Sequence, residues 1–211
     1  MGIPVLILGE SGSGKSASMR NFEPGEVGIF NIASKPLPFR KKLPVANGVN
    51  YQQIIGSLSK PKLKRYVIDD SQYLLCFELF RTAQETGYQK FTNMALNFYN
   101  LIQFIINQTP PDVIVYFLHH SEITTDGKVK AKTIGKMLDE KLTVEGLFSI
   151  VLMCQTDGMR HIFVTQSDGF TTAKSPMEMF DREIDNDLKF VDDNIRSYYD
   201  FTENKEEKVN G

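Results

Sequence analysis

The apolar run at residues 3–8 stops at Gly9, and the chain then reads Gly9-Glu10-Ser11-Gly12-Ser13-Gly14-Lys15-Ser16. No other stretch constrains the fold as strongly. The run is β-branched and leucine-rich, is too short for a helix and ends at a glycine, which is the pattern of a strand buried on both faces. The loop after it fits G-x-x-x-x-G-K-[ST], a spacing in which glycines let backbone N–H groups curl around phosphate oxygens. In that arrangement Lys15 reaches the β and γ phosphates, and the Ser16 hydroxyl takes one position on Mg²⁺. Residues 9–16, with Ala17 behind them, are therefore the expected nucleotide-binding segment, and ATP and Mg²⁺ the expected cofactors.

A strand buried on both faces needs neighbours, and the sequence supplies them. A helix is expected to open at residues 14–20, and residues 27–32 (VGIFNI) read as the next apolar strand, before a proline-punctuated loop. Residues 51–58 read as a short helix and residues 65–70 as a strand ending in two aspartates. Leu74, Leu75 and Leu79 mark one side of a helix at 71–86, and Phe91, Ala95, Phe98, Ile102 and Ile105 repeat at helical spacing over 91–107. Strands follow at 112–118, 147–155 and 160–165, the last two joined by a turn at Asp157-Gly158. This alternation predicts an α/β fold, with a mainly parallel sheet flanked by helices and a C-terminal antiparallel hairpin. With 211 residues there is material for one sizeable core, so residues 1–201 read as one domain and 202–211 as a flexible tail.

Charge and cysteine content narrow the function classes. A formal charge of −2 argues against a surface that coats nucleic acid or membrane as a whole, although local patches can still bind phosphates. No apolar run approaches the length of a membrane span, and the N-terminal segment lacks the flanks of a signal peptide, so cytoplasmic residence without a membrane partner is expected. Cys76 and Cys154 are isolated in apolar surroundings, without metal-ligand spacing, and read as reduced core residues.

Four further features carry chemistry. The strand Tyr66-Val67-Ile68-Asp69-Asp70 places carboxylates at its end, which assigns Asp69 to the water shell of Mg²⁺ and Asp70 to polarising an attacking water. His119-His120-Ser121-Glu122 follows a strand where nucleotide hydrolases often carry a γ-phosphate sensor. His119 is the first candidate and His120 the second; a histidine that merely caps a loop is the plain alternative. Lys128, Lys130 and Lys132 alternate with small or apolar residues and would share one face, which suits tracking a nucleic-acid backbone or, as plainly, a solvated hairpin. Lys174, in Gly169-Phe170-Thr171-Thr172-Ala173-Lys174-Ser175-Pro176, is placed to reach a nucleotide held by a neighbouring subunit, or to fix the C-terminal segment.

Together GESGSGKS, YVIDD, YFLHHSE and IFVTQSDGFTTAKSP resemble, in order, the Walker A, Walker B, sensor strand and closing hairpin of short RecA-like P-loop ATPases encoded by bacteriophages, including the phage single-strand annealing proteins. The resemblance covers roughly residues 3–190. It implies a RecA-type core, ATP bound between subunits of a homo-oligomer, single-stranded DNA as partner during phage recombination, and contact with other phage or host replication proteins in the bacterial cytosol. Larger recombinases carry a catalytic glutamate where this chain has Asn31-Ile32-Ala33-Ser34-Lys35, so slow hydrolysis is expected. Two other readings stay open. A small-molecule or nucleotide kinase would share the loop but needs an arginine-rich lid, and residues 123–141 contain no arginine. A nucleotide-dependent regulatory module without turnover would need neither.

Overall fold

The first strand, β1 (Ile3–Gly9), sorts its side chains by parity: Val5 and Ile7 enter one apolar layer, Leu6 and Leu8 the other, and all four are buried. The structure is a computed structural model that describes residues 1–201; the tail expected at 202–211 lies outside the described residues. After β1 come β2 (Gly28–Asn31), β3 (Val45–Asn47), α1 (Tyr51–Ser59), β4 (Arg65–Asp69), α2 (Gln72–Arg81) and α3 (Gln89–Gln108). Then follow β5 (Ile114–Ile123), β6 (Val129–Ala131), α4 (Lys136–Asp139), β7 (Ile150–Asp157), β8 (Arg160–Val164), β9 (Glu183–Asp185) and α5 (Leu188–Tyr198).

The strands form one sheet in the order β3-β2-β4-β5-β1-β7-β8-β9, with β6 paired to the end of β5. Pairing is parallel from β3 through β7 and antiparallel among β7, β8 and β9, so the chain is α/β with a mostly parallel sheet and an antiparallel C-terminal edge. Helices α1, α2 and α3 cover the face that carries Leu6, Leu8, Ile68 and Phe117. The opposite face, with Val5, Ile7, Val67 and Leu118, is covered by Met19, Phe22 and the α5 residues Leu188, Val191 and Ile195. Phe98 shows what holds the first layer: fully buried on α3, it meets the Phe117 ring edge-on at 6.2 Å. Truncating such a residue to alanine costs about 3–5 kcal/mol.

The short strands β3 and β9 and the short helix α4 have no counterpart in the sequence expectation, and three further departures bear on the architecture. The helix expected at 14–20 is a 3₁₀ segment, Ser16–Asn21, and the chain leaves it extended at Phe22 toward Pro24-Gly25, which cannot continue a helix. Strand β5 runs on to Ile123 because its end pairs with β6. Helix α5 has no counterpart among the expected elements. It begins at Asp187, whose carboxylate accepts from the backbone N–H groups of Lys189 and Phe190, a capping arrangement. Its buried Asp192 accepts from Tyr116 Oη at 2.8 Å and Arg196 Nε at 2.7 Å and pairs with Arg65, so the helix is tied to the start of β4 and the middle of β5.

Parallel pairing aligns the carboxyl ends of the central strands. Gly9 lies opposite His120, and Asn31 opposite Asp69. Crevices at the carboxyl ends of parallel strands are where open α/β sheets bind ligands.

Candidate functional site

The loop after β1 takes its shape from two glycines. Gly12 and Gly14 have φ of 84° and 103°, a region that side chains strain to enter, and a Cβ on Gly14 would lie 2.8 Å from the His161 ring on β8. Ser13 N–H closes the turn on the Glu10 carbonyl at 3.2 Å. Lys15 then folds back over the loop, its Nζ donating to the carbonyls of Gly9 and Glu10 at 2.8 Å each. Burial is the chief cause that lowers the Lys15 pKa, with Cys154, Asp70 and Asp69 acting against it. The buried Lys15 ammonium is thus held by two neutral carbonyls under an exposed loop tip, an arrangement that an anion could replace. The helical segment behind the loop is only six residues of 3₁₀ structure, so a long helix dipole is absent here and any pull on an anion would come chiefly from the loop's own N–H groups.

From β4 comes the acid. Ser16 Oγ donates to Asp69 Oδ1 at 2.7 Å, joining the loop to the second strand of the site. Burial raises the Asp69 pKa, and the neighbouring Asp70 adds to the effect, while Ser16 opposes it. Among the described residues no group of three or more His, Cys, Asp or Glu could hold a metal ion. The donors present nonetheless fit Mg²⁺ in its phosphate-borne form, since that ion takes one or two protein oxygens and completes its shell with phosphate oxygens and water. Ser16 and Asp69 would be those oxygens.

Asp70 stands just past β4 in a left-handed conformation, φ 58°, that turns its carboxylate toward the loop. Lys35 Nζ lies 2.7 Å from its Oδ2, and His120 Nε2 lies 3.3 Å from its Oδ1 but out of line for a good hydrogen bond. Burial works against ionising Asp70, yet His120 and Lys35 outweigh it and hold its pKa at about 2. Lys35 also sits 5.0 Å above the Tyr73 ring, which meets the His120 ring edge-on. Lys15, Ser16, Lys35, Asp69, Asp70 and His120 thus line one cavity of about 420 Å³, with Gly12, Gly14 and His161 at its side. A second cavity, of about 410 Å³, lies on the other flank of the loop, where Ser13 Oγ is buried without a hydrogen-bond partner.

The two histidines of β5 part company because neighbours on a strand face opposite ways. His120 shares the loop's side of the sheet. His119 points toward α3, 5.7 Å from the Phe98 ring, and is fully buried. Its Nδ1 lies 2.9 Å from Ser71 Oγ and its Nε2 2.9 Å from the Lys132 carbonyl, which suits a neutral ring. Burial pushes its pKa down to about 4. Of the pair, His120 is the one that reaches the cavity, and His119 fastens β5 to the chain beyond β6.

Two other candidates lie elsewhere. Lys174 exchanges both backbone hydrogen bonds with Val151 at 2.8 Å, and its side chain borders Met1, Ile3, Pro4 and Phe148 at the sheet end opposite Gly9. Within its own chain it does not approach the loop. Lys128 and Lys130 stand on the β5–β6 hairpin, where Lys128 pairs with Asp126 at 3.4 Å and Lys130 with Glu122 at 3.4 Å and with Asp139. Lys132 is exposed, its backbone N–H bonded to the His120 carbonyl at 2.9 Å.

Sequence reasoning missed Lys35, His161 and the place of Cys154 at the site. The Cys154 thiol donates to the Ser13 carbonyl at 3.1 Å and packs under Gly9, with burial pushing its pKa to about 11, so it supports the loop as an inert thiol. No protein-family model matches the chain, and no curated protein does either.

Proposed function

We propose that this chain is a RecA-like P-loop ATPase that binds ATP with Mg²⁺, hydrolyses it slowly and works as a homo-oligomer on single-stranded DNA. The observation that carries the nucleotide reading is the Ser16–Asp69 hydrogen bond of 2.7 Å beneath a folded-back Lys15. It unites a phosphate loop and an acidic strand end across an intervening strand, β5. That insertion of a strand between the two is also the order that the RecA-like resemblance implies. Ser16 and Asp69 would hold Mg²⁺, whose charge would offset the negative charge that builds up on the phosphates.

The chain's own groups divide the work. Lys15 exchanges its two carbonyls for phosphate oxygens, and the N–H groups of residues 11–16 enclose the same anion. Ser16 and Asp69 would hold the cation through their side-chain oxygens. Asp70 is the nearest carboxylate for holding an attacking water. A base with a pKa of about 2 takes a proton poorly, however, and this one is already engaged by Lys35 and His120. Slow turnover follows. The same observation favours, as a second reading, a regulatory module that responds to bound nucleotide without turnover.

Support for the DNA partner comes from the resemblance and from the lysines of the β5–β6 hairpin; no helix among the described residues is long and apolar enough to cross a membrane. Mobility shifts of single-stranded DNA with ATP, ADP or a nonhydrolysable analogue, on wild type and Lys15→Ala, test the reading. Nucleotide-dependent retardation that disappears in the variant is expected. Absence of DNA binding at low salt would sink the DNA half, and equal ATP binding by both proteins would sink the nucleotide half.

A further inference from the structure

The cavity beside the loop contains two lysines and two aspartates, and its charge balance is tight. Lys15 and Lys35 face Asp69 and Asp70, so no formal positive charge is left over for a polyphosphate unless one cation leaves its carboxylate. Lys15 is held by carbonyls, which are neutral. Lys35 is held by a carboxylate, and its side chain is 57% exposed, so it has room to move.

The backbone under Lys35 is built rather than loose. Asn31, buried at the end of β2, donates from Nδ2 to the Lys35 carbonyl at 2.7 Å and to Asn47 Oδ1 at 2.9 Å. Ser34 takes a left-handed φ of 56°, and its N–H returns to the Asn31 carbonyl at 3.4 Å. This turn aims Lys35 into the cavity opposite Asp70, whose own left-handed φ completes the pairing. Ser34 and Asp70, neither with the freedom of glycine, both hold that conformation, next to Lys35 and at its partner, a costly arrangement of the kind that collects at functional sites.

We propose that Lys35 is a cation that reads the terminal phosphate: it rests on Asp70 when the cavity holds no triphosphate and transfers to the γ-phosphate when one binds. Lys35 thereby gives the site preference for a nucleoside triphosphate over a diphosphate. This rests on the nucleotide reading above and adds a residue at the position where a glutamate is missing. The transfer is an exchange of ion-pair partners, with no bond made or broken. Tyr73, under the lysine at 5.0 Å, keeps an attractive surface beneath the ammonium as it moves.

The test measures dissociation constants of fluorescent ADP and of a fluorescent nonhydrolysable ATP analogue, at fixed Mg²⁺, for wild type, Lys35→Met, Lys35→Arg and Lys15→Ala. Lys35→Met is expected to weaken the triphosphate by about tenfold or more, as for one lost charged hydrogen bond, and to leave the diphosphate unchanged. Lys35→Arg should keep most of the preference. Equal weakening of both nucleotides, or an unaltered ratio, in Lys35→Met would overturn the proposal. If wild type binds neither nucleotide and matches Lys15→Ala, the nucleotide reading itself fails and this proposal falls with it. Lys35 is exposed, so its loss opens no core cavity; the arginine variant, which keeps the charge, separates the loss of the cation from any change in the surrounding turn.

Discussion

The cleft around Lys15 and the hairpin of β5 and β6 both gather lysines, and they do so by opposite means. In the cleft, Lys15, Lys35, Asp69, Asp70 and His120 arrive from four separate strand ends and line a cavity together. In the hairpin, Lys128 and Lys130 find their carboxylates within a few residues or directly across the ladder. Lys15, Asp69 and Asp70 are buried in the cleft, so their charges depend on one another, whereas solvent reaches Lys35 as it does the hairpin, whose pairs it weakens to about 1 kcal/mol or less. Lysines alone therefore do not mark a ligand site. What distinguishes the cleft is a set of charges brought together from distant parts of the chain around a buried lysine and two buried aspartates.

The greatest effect should come from Lys15→Ala, which removes the one ammonium held by loop carbonyls. Affinity for Mg²⁺-ATP, read by calorimetry, should fall roughly a thousandfold, or about 4 kcal/mol, while Lys128→Ala leaves it unchanged. Similar losses in the two variants would erase the contrast.

Next comes His119. Its folded pKa of about 4 lies below the free value of 6.5, so the fold binds fewer protons than the unfolded chain. Stability is complete above pH 6.5 and drains away as the pH falls toward 4, by roughly 3 kcal/mol. Urea denaturation at pH 7 and pH 4.5 should show that drop in wild type and a much smaller one in His119→Gln.

Asp70 follows with the same direction at lower pH. Its pKa is depressed from 3.8 to about 2, so its contribution is present above pH 3.8 and is lost as the pH falls through 2, roughly 2 kcal/mol in all. Asp70→Asn should flatten that part of the acid denaturation curve; an unchanged curve would mean that Lys35 and His120 do not hold the carboxylate.

The hairpin should give the smallest response. Replacing Lys128, Lys130 and Lys132 by alanine should shift folding stability by under about 1 kcal/mol. If the hairpin meets DNA, the log–log salt slope should fall by about one for each lost phosphate contact. An unaltered slope would leave these lysines as solvated partners of Asp126, Glu122 and Asp139.

Legibility followed sequence distance. The strand before Gly9, the carboxylates closing β4 and the turn at Asp157-Gly158 each announce themselves within a few residues, and each stands where it was expected. Which histidine of β5 meets the loop depends on which sheet face carries residues 16–22, and no local pattern records that. Lys35 carried no signal beyond its place after β2, since its partner is 35 residues away. Helix α5 does carry a local signal, Leu188, Val191 and Ile195 at helical spacing behind the capping Asp187, and only the contacts of its buried aspartate are hidden from the sequence. The partners of that aspartate, Tyr116 and Arg65, lie 76 and 127 residues earlier.

The C-terminal segment also grips the phosphate loop from behind. Arg20 donates to the Asn186 carbonyl at 2.5 Å, Asn21 to Asp187 at 2.7 Å, and Asn186 Nδ2 reaches the Cys154 sulfur under the loop. If these bonds couple the two, a ligand that stills residues 9–16 should also slow amide exchange in α5, although α5 lines no part of the cavity; unchanged exchange in α5 would show that the bonds do not carry the coupling.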